Sequence, residues 1–123
     1  SNPMWRATID ILDFVTFANA SYSGGIIVTD WFNDNSKKDV TRDLKITVKF
    51  LSNEIRADGI KIDIHERICK LSNSNSCSIN KIKSEVSGEL KLAILKSATR
   101  LEKDLTAERV KNFKRKLTVG RDN

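Results

Sequence analysis

The sequence predicts one α+β domain, a two-layer sandwich in which an antiparallel sheet of three to four strands is covered by helices from both ends of the chain. Two observations support this fold: helical hydrophobic patterns flank a central region, and that region shows strand patterns. The 123 residues, 39% hydrophobic and 31% charged, suit a single core. We expect residues 1–4 to be a cloning remnant, residues 5–105 the domain and residues 106–123 a basic C-terminal extension.

The first half of the chain contains a helical pattern followed by a strand pattern. Apolar residues recur at helical spacing in residues 5–15, which predicts an amphipathic helix. Residues 19–25 are rich in turn formers and end in two glycines, so they should lead into a strand. Residues 25–32 are β-branched or aromatic on both faces, which is typical of a central strand. The polar residues 33–43 are expected to form a connection.

The middle of the chain predicts an antiparallel hairpin. Residues 44–50 and residues 60–68 each alternate apolar and polar side chains, and the pair Asp58-Gly59 favours a turn before the second strand. A polar loop is expected at residues 72–78, with a short return strand around residues 77–79.

A second long helix is predicted after this hairpin. Ser84 is a candidate N-cap and Glu85 lies in the first turn. One face of this helix is apolar and should pack on the alternating face of the hairpin. The helix contributes Leu90, Ile94, Ala98 and Leu101, and the hairpin contributes Leu44, Ile46, Val48, Phe50, Ile60, Ile62 and Ile64.

The net charge of +6 is concentrated at the C-terminus, because six basic residues stand against two acidic ones from residue 106 onward. Lys111, Lys114, Arg115 and Lys116 are candidate contacts to an anionic surface, either phosphates or lipid headgroups. The alternative is a solvated basic run. The rest of the chain shows no aromatic platform on a basic face and no known nucleic-acid-binding signature, so nucleic acid is the less favoured partner.

The sequence contains no recognisable catalytic or metal-binding arrangement. His65 is the single histidine and is expected on the solvent side of its strand. A metal site at His65, Cys69 and Cys77 would lack the usual ligand spacing. Gly24-Gly25 lacks the sequence context of a phosphate-binding loop. We therefore expect no enzyme and no cofactor.

Asp30 lies on an apolar face of its predicted strand, where a charge needs a partner. Arg56 is the preferred partner and Arg42 the second. The alternative, slightly favoured, is that Asp30 ends the strand and contacts water. A small hydrolase using Asp30 and Asp58 is the least favoured class of function.

Cys69 and Cys77 enclose seven residues where a strand reverses, so their side chains can face each other across a hairpin. A disulfide between them is favoured over two free thiols, which a reducing compartment would maintain.

Three segments resemble a known family in their order and spacing: Trp5-Arg6-Ala7, the run from Gly24 to Trp31, and the run from Ile55 to Ile60. They resemble the alphaproteobacterial domain of unknown function 3576 family, over residues 5–104. The resemblance implies an exported protein with a lipoprotein-like N-terminus, on the periplasmic side of the cell envelope and held there by a lipid anchor. It implies no catalytic residues.

Together these observations favour a non-enzymatic cell-envelope domain, a protein-interaction or membrane-associated module whose partner is an envelope protein or the membrane surface. The alternative is a nucleic-acid-binding module that acts through the basic tail. If the function is binding, we expect the surface around residues 19–25 and 55–59 to be used rather than the basic tail, because Tyr22, Trp31 and Arg56 are residue types enriched at interface hot spots. A structural role for Trp31 and Arg56 is the competing interpretation.

Overall fold

The computed structural model of the chain describes residues 2–34 and 38–121. Residue 1, residues 35–37 and residues 122–123 lie outside the described residues. They belong, in this order, to the predicted cloning remnant, the predicted connection and the predicted C-terminal extension. A 3-10 helix at Ala57–Gly59 precedes the fifth strand. The other elements follow in the order α1 (Pro3–Ile11), β1 (Phe17–Ser21), β2 (Ile26–Thr29), β3 (Phe32–Asn33), β4 (Val40–Phe50), β5 (Ile60–Lys70), β6 (Asn73–Ile82) and α2 (Glu85–Arg121).

The fold is α+β, with an antiparallel sheet and one helix at each end of the described chain. The predicted number of three to four strands is wrong, because the sheet has six strands in the order β1-β2-β4-β5-β6, with β3 paired to β4 beside β2. The predicted strand over residues 25–32 is divided into β2 and β3. The chain leaves the ladder at Asp30, whose backbone N–H donates to the carbonyl of Thr16 at 2.8 Å.

Two other strands differ from the prediction. β1 begins after the predicted helix and extends into residues 19–25, where a turn was expected. β6 spans ten residues where a loop and a short strand were expected. The hairpin of β4 and β5 is confirmed, since the two strands pair without interruption from Val40 opposite Lys70 to Phe50 opposite Ile60.

The hydrophobic core lies between the two helices and one face of the sheet. Ile94 and Ala98 of α2 and Met4 and Ala7 of α1 are fully buried there. They pack against alternating residues of the two central strands, which confirms the predicted sheet face: Ile46, Val48, Ile60 and Ile64 are buried, and Leu44, Phe50 and Ile62 are partly buried beside them.

The folded unit begins before Trp5, the residue at which we expected it to start. The side chain of Asn2 caps α1 by accepting a hydrogen bond from the backbone N–H of Met4 at 2.9 Å. Pro3 occupies the first helical turn, where a backbone N–H would have no hydrogen-bond partner within the helix. Met4 is fully buried in the core, so these residues belong to the domain.

α2 extends far beyond the sheet. Its core residues end with Leu101 and Leu105, which are half-buried, and every side chain from residue 106 to residue 119 is exposed. At 1.5 Å per residue, residues 106–121 add roughly 24 Å of helix. We call this part of α2 the projecting segment.

Candidate functional site

The three residues of the predicted interaction surface have separate contacts. The ring of Tyr22 packs edge-on against Trp5, with 5.3 Å between ring centroids. Trp31 instead contacts Arg67, whose guanidinium carbon lies 4.6 Å from the ring centroid. Arg56 contacts Glu54 and Asp58, which are its own neighbours in sequence. The described contacts of Tyr22, Trp31 and Arg56 therefore share no residue.

The predicted ion pair between Asp30 and Arg56 is not formed. The guanidinium of Arg56 donates two hydrogen bonds to the carboxylate of Asp58, at 2.7 and 2.8 Å, and one to Glu54 at 3.2 Å. These bonds raise the pKa of Arg56, and the hydrogen bond from Arg56 lowers the pKa of Asp58. Arg42, the second predicted partner, pairs instead with Asp34 and Glu66.

Asp30 itself is exposed, in agreement with the alternative that it meets water. The chain turns away from β4 after Thr29, and the carboxylate of Asp30 consequently does not enter the core. The local sequence alternation was misleading because β2 ends at Thr29, three residues before the predicted end of the strand at residue 32.

The sheet face opposite the core carries a basic surface, which we call the open face. Strand pairing places alternating residues of β4 and β5 on it, among them Lys45, His65 and Arg67. Trp31 lies over these strands, since Lys45 Nζ is 5.4 Å and the Arg67 guanidinium 4.6 Å from its ring centroid. Both distances are within the range of cation–π attraction. The expectation that no aromatic group stands on a basic face is therefore wrong.

Asp43 and Asp63 are the carboxylates of the open face on β4 and β5, and each is paired with a cation. Asp43 accepts a hydrogen bond from Arg67 at 2.9 Å, and Asp63 lies 3.1 Å from Lys81 Nζ. Lys61 also contributes to the positive potential at Asp63, so the open face keeps a surplus of positive charge.

We expect the pKa of the Asp63 carboxyl to lie below its usual range, because Lys81 hydrogen-bonds to it and Lys61 and Lys49 are nearby. A folded-state pKa below the unfolded one stabilises the protein at neutral pH, and this stabilisation is lost as the pH falls through the folded-state value. An NMR titration of the Asp63 side-chain carboxyl should show the lowered pKa, and Lys81→Met should raise it. An unchanged Asp63 pKa in Lys81→Met would contradict this assignment.

The two cysteines and the histidine lie on the same side of the sheet. Cys69 and Cys77 are opposite each other in β5 and β6 and are joined by a disulfide. His65 is half-buried, between Lys45 and Lys81 on the neighbouring strands. Within residues 2–34 and 38–121, no group of three or more His, Cys, Asp or Glu side chains is arranged to hold a metal.

The two adjacent glycines have a structural role in the turn before β2. Gly25 has a φ of 64°, which disfavours other residue types. A Cβ at Gly25 would lie 3.1 Å from the carbonyl oxygen of Phe50. The Gly25 carbonyl also accepts a hydrogen bond from the Phe50 N–H at 2.8 Å, which joins the turn to β4.

The projecting segment contains the predicted basic contacts together with an apolar stripe. Val110, Phe113 and Leu117 recur at i, i+3 and i+7, which places them on one side of the helix. They are 47%, 61% and 53% exposed. The predicted contacts, which are Lys111, Lys114, Arg115 and Lys116, are exposed, as is Arg109. Helical geometry places these cations on both borders of the stripe and on the opposite side.

The described helices include none that combines the length and the apolar composition needed to cross a bilayer. The projecting segment is thus an exposed helix with an apolar side and a basic remainder.

Sequence comparison identifies an uncharacterized relative and a family. An uncharacterized protein of Rickettsia prowazekii (strain Madrid E) is 30% identical over 67 residues, which are 54% of this chain and 39% of that protein. The aligned part thus spans about two fifths of the relative's length. The sequence model of the Domain of unknown function (DUF3576) matches residues 1–103, which stop just short of the projecting segment. The chain therefore belongs to the DUF3576 family.

Proposed function

We propose that this protein is a non-enzymatic module of the cell envelope that associates with an anionic membrane surface through the projecting segment of α2. The observation that carries the proposal is the exposed stripe of Val110, Phe113 and Leu117 with basic residues around it. A basic helix with one apolar side is the type of segment that lies in the interface of a membrane, with its apolar side inserted among the lipids.

The charge of the segment favours anionic lipid over a second copy of the chain. Five basic residues stand against Glu108 as the one acidic residue between residues 106 and 119. Pairing two such helices would bring like charges together, whereas an anionic leaflet attracts each cation by about 1 kcal/mol near its surface. The long side chains of Arg109 and Lys114 border the stripe and can reach headgroups while their stems contact apolar surface.

We place the module on the periplasmic side of the envelope, and the disulfide supports this part of the proposal. Bonds between cysteines persist in oxidising compartments such as the periplasm and are rare in the cytosol. The lipid anchor that the family resemblance implies would hold the domain near the bilayer. The projecting segment then adds a second, electrostatic attachment.

Binding to vesicles tests the proposal. We expect the protein to bind vesicles rich in phosphatidylglycerol and not vesicles of phosphatidylcholine, with affinity falling as salt is raised. Phe113→Gln should weaken binding roughly tenfold or more, because burial of a Phe side chain contributes about 1.5–3 kcal/mol. Sedimentation with vesicles of defined composition measures both effects.

Asn112→Gln is the matched control, since it changes the neighbouring residue on another side of the helix without altering charge. It should bind like the unmodified protein. Equal binding to both kinds of vesicle, or equal loss in the two variants, would refute the proposal.

Nucleic-acid binding through the same segment is the competing function, and the position of Trp31 beside Lys45 and Arg67 gives it a second contact surface. It predicts micromolar affinity for single-stranded DNA with a steep salt dependence, lost when residues 106–123 are deleted. That result, with no binding to anionic vesicles, would replace the membrane proposal.

A further inference from the structure

The first four residues of β5 form a free strand edge. β6 pairs with β5 only from Ile64 to Lys70, whereas β4 pairs with β5 along its whole length. In the part of the chain that the structure describes, residues 60–63 consequently have a neighbouring strand on one side only. They provide about 13 Å of unpaired edge at 3.3 Å per residue.

The hydrogen bonding at the beginning of β5 shows which backbone groups face this edge. The N–H of Leu51 donates to the carbonyl of Gly59 at 2.8 Å, so Gly59 directs its carbonyl toward β4. In an antiparallel pair, alternate residues direct their backbone groups to the same neighbour. The N–H and C=O groups of Ile60 and Ile62 therefore point away from β4. Ile60 is only 2% exposed, so the outward backbone groups that an added strand can reach are those of Ile62.

The first turns of α2 lie beside this edge and leave a cleft. The cleft has a volume of about 280 Å³ and is lined by residues 60–63, Ser87, Gly88 and Lys91. Gly88 contributes to the opening, because a Cβ built there would have no neighbour within 4 Å. A glycine inside a helix costs about 1 kcal/mol relative to alanine, and no packing contact in this structure requires Gly88.

The cleft is basic. Lys61 is exposed on the open face at one border of the cleft, and Lys91 lies on α2 at the other. The carboxylate of Asp63 is already paired with Lys81 at 3.1 Å. An occupant would thus meet two lysines and a neutralised carboxylate.

We infer that this cleft binds an extended, acidic peptide segment of a partner protein, which adds to the sheet as a strand beside residues 60–63. The backbone N–H and C=O of Ile62 supply hydrogen bonds that are independent of the partner's sequence, and alternate side chains supply specificity. Acidic residues of the partner strand pair with Lys61 on one side and with Lys91 on the other. A second copy is disfavoured, because symmetric pairing of two such edges brings Lys61 and Lys91 of both copies together.

The probe is a capped hexapeptide, Thr-Val-Glu-Glu-Val-Thr, whose two adjacent Glu side chains lie on opposite sides of an extended strand. The comparison peptide has Lys in place of both Glu residues. NMR of the folded protein should show that the Glu peptide shifts the amide signal of Ile62 and slows its hydrogen exchange. The Lys peptide should cause neither change. Fluorescence anisotropy with a labelled Glu peptide then gives the affinity.

Gly88→Leu fills the cleft with a residue that favours helix, so the domain should remain folded while the affinity for the Glu peptide falls at least tenfold. Ala93→Leu, an exposed position of the same helix, is the matched control and should leave the affinity unchanged. Lys91→Glu should weaken binding more than Lys96→Glu, which reverses an exposed charge elsewhere on α2.

Three results would overturn the inference: no binding of the Glu peptide, equal affinity for the Glu and Lys peptides, or unchanged affinity in Gly88→Leu. A concentration-dependent shift of the Ile62 amide signal without any peptide would show instead that a second copy occupies the edge.

Discussion

Ile94→Ala is expected to lower the free energy of unfolding by about 2–5 kcal/mol, the range for removing a large aliphatic side chain from a core. Ile94 is fully buried in the core cluster that also contains Ile46, Val48 and Ile64 of the sheet. Truncation removes apolar contacts and leaves a cavity, because helix and sheet are both anchored elsewhere and can close only partly. Urea unfolding followed by circular dichroism measures the change.

Leu92→Ala is the control for this substitution. Leu92 lies on the same helix and is 53% exposed, so its truncation should change stability by no more than about 0.5 kcal/mol. If the two variants were equally stable, the face of α2 assigned to the core would be wrong.

The central part of the fold could be predicted because its signals are local and repeated. Residues 44–50 and 60–68 alternate without a break, and a turn pair precedes the second run. Burying one face of each strand then fixes the register, since a shift of one residue would expose every apolar side chain. The same alternation placed His65 and Lys45 on the open face.

The two missed strands lack such signals. β1 is an edge strand with three exposed residues in its middle, so it has no apolar alternation. Phe17 and Ala18 also fit the helical spacing of the preceding segment, and Asn19 and Ser21 are common in turns. Pairing with β2 determined the outcome: Ser21 lies opposite Ile26 and Phe17 opposite Thr29, so β1 and β2 form a hairpin around residues 22–25.

The candidate sites were harder to predict than the fold, because they depend on where strands end. Trp31 reaches Arg67 only because the chain leaves the ladder at Asp30. The free edge at residues 60–63 exists because β6 stops pairing at Ile64, and no local pattern marks that point. The basic residues of the projecting segment were the exception, since they are visible in the sequence, but the apolar stripe of Val110, Phe113 and Leu117 was not predicted as part of a site.

Reduction of the disulfide between Cys69 and Cys77 is expected to lower the free energy of unfolding by about 2–3 kcal/mol, the loop-entropy value for a short closed loop. The bond joins β5 to β6, the edge strand at this side of the sheet. Local opening of the reduced protein should therefore be most frequent in β6. Without the bond the unfolded chain gains freedom, while the paired strands of the folded state keep their register. Urea unfolding with and without reductant measures the difference, and hydrogen exchange should show faster opening of β6 than of β4.

The double variant Cys69→Ser, Cys77→Ser separates the bond from other effects of the reductant. It should match the reduced protein in stability and should not respond to reductant. The oxidised protein should exceed both by the full 2–3 kcal/mol estimated from loop entropy. If oxidised and reduced protein unfolded at the same urea concentration, the disulfide would be a passive feature of a hairpin already held by strand pairing. It would then no longer connect the stability of this fold to an oxidising compartment.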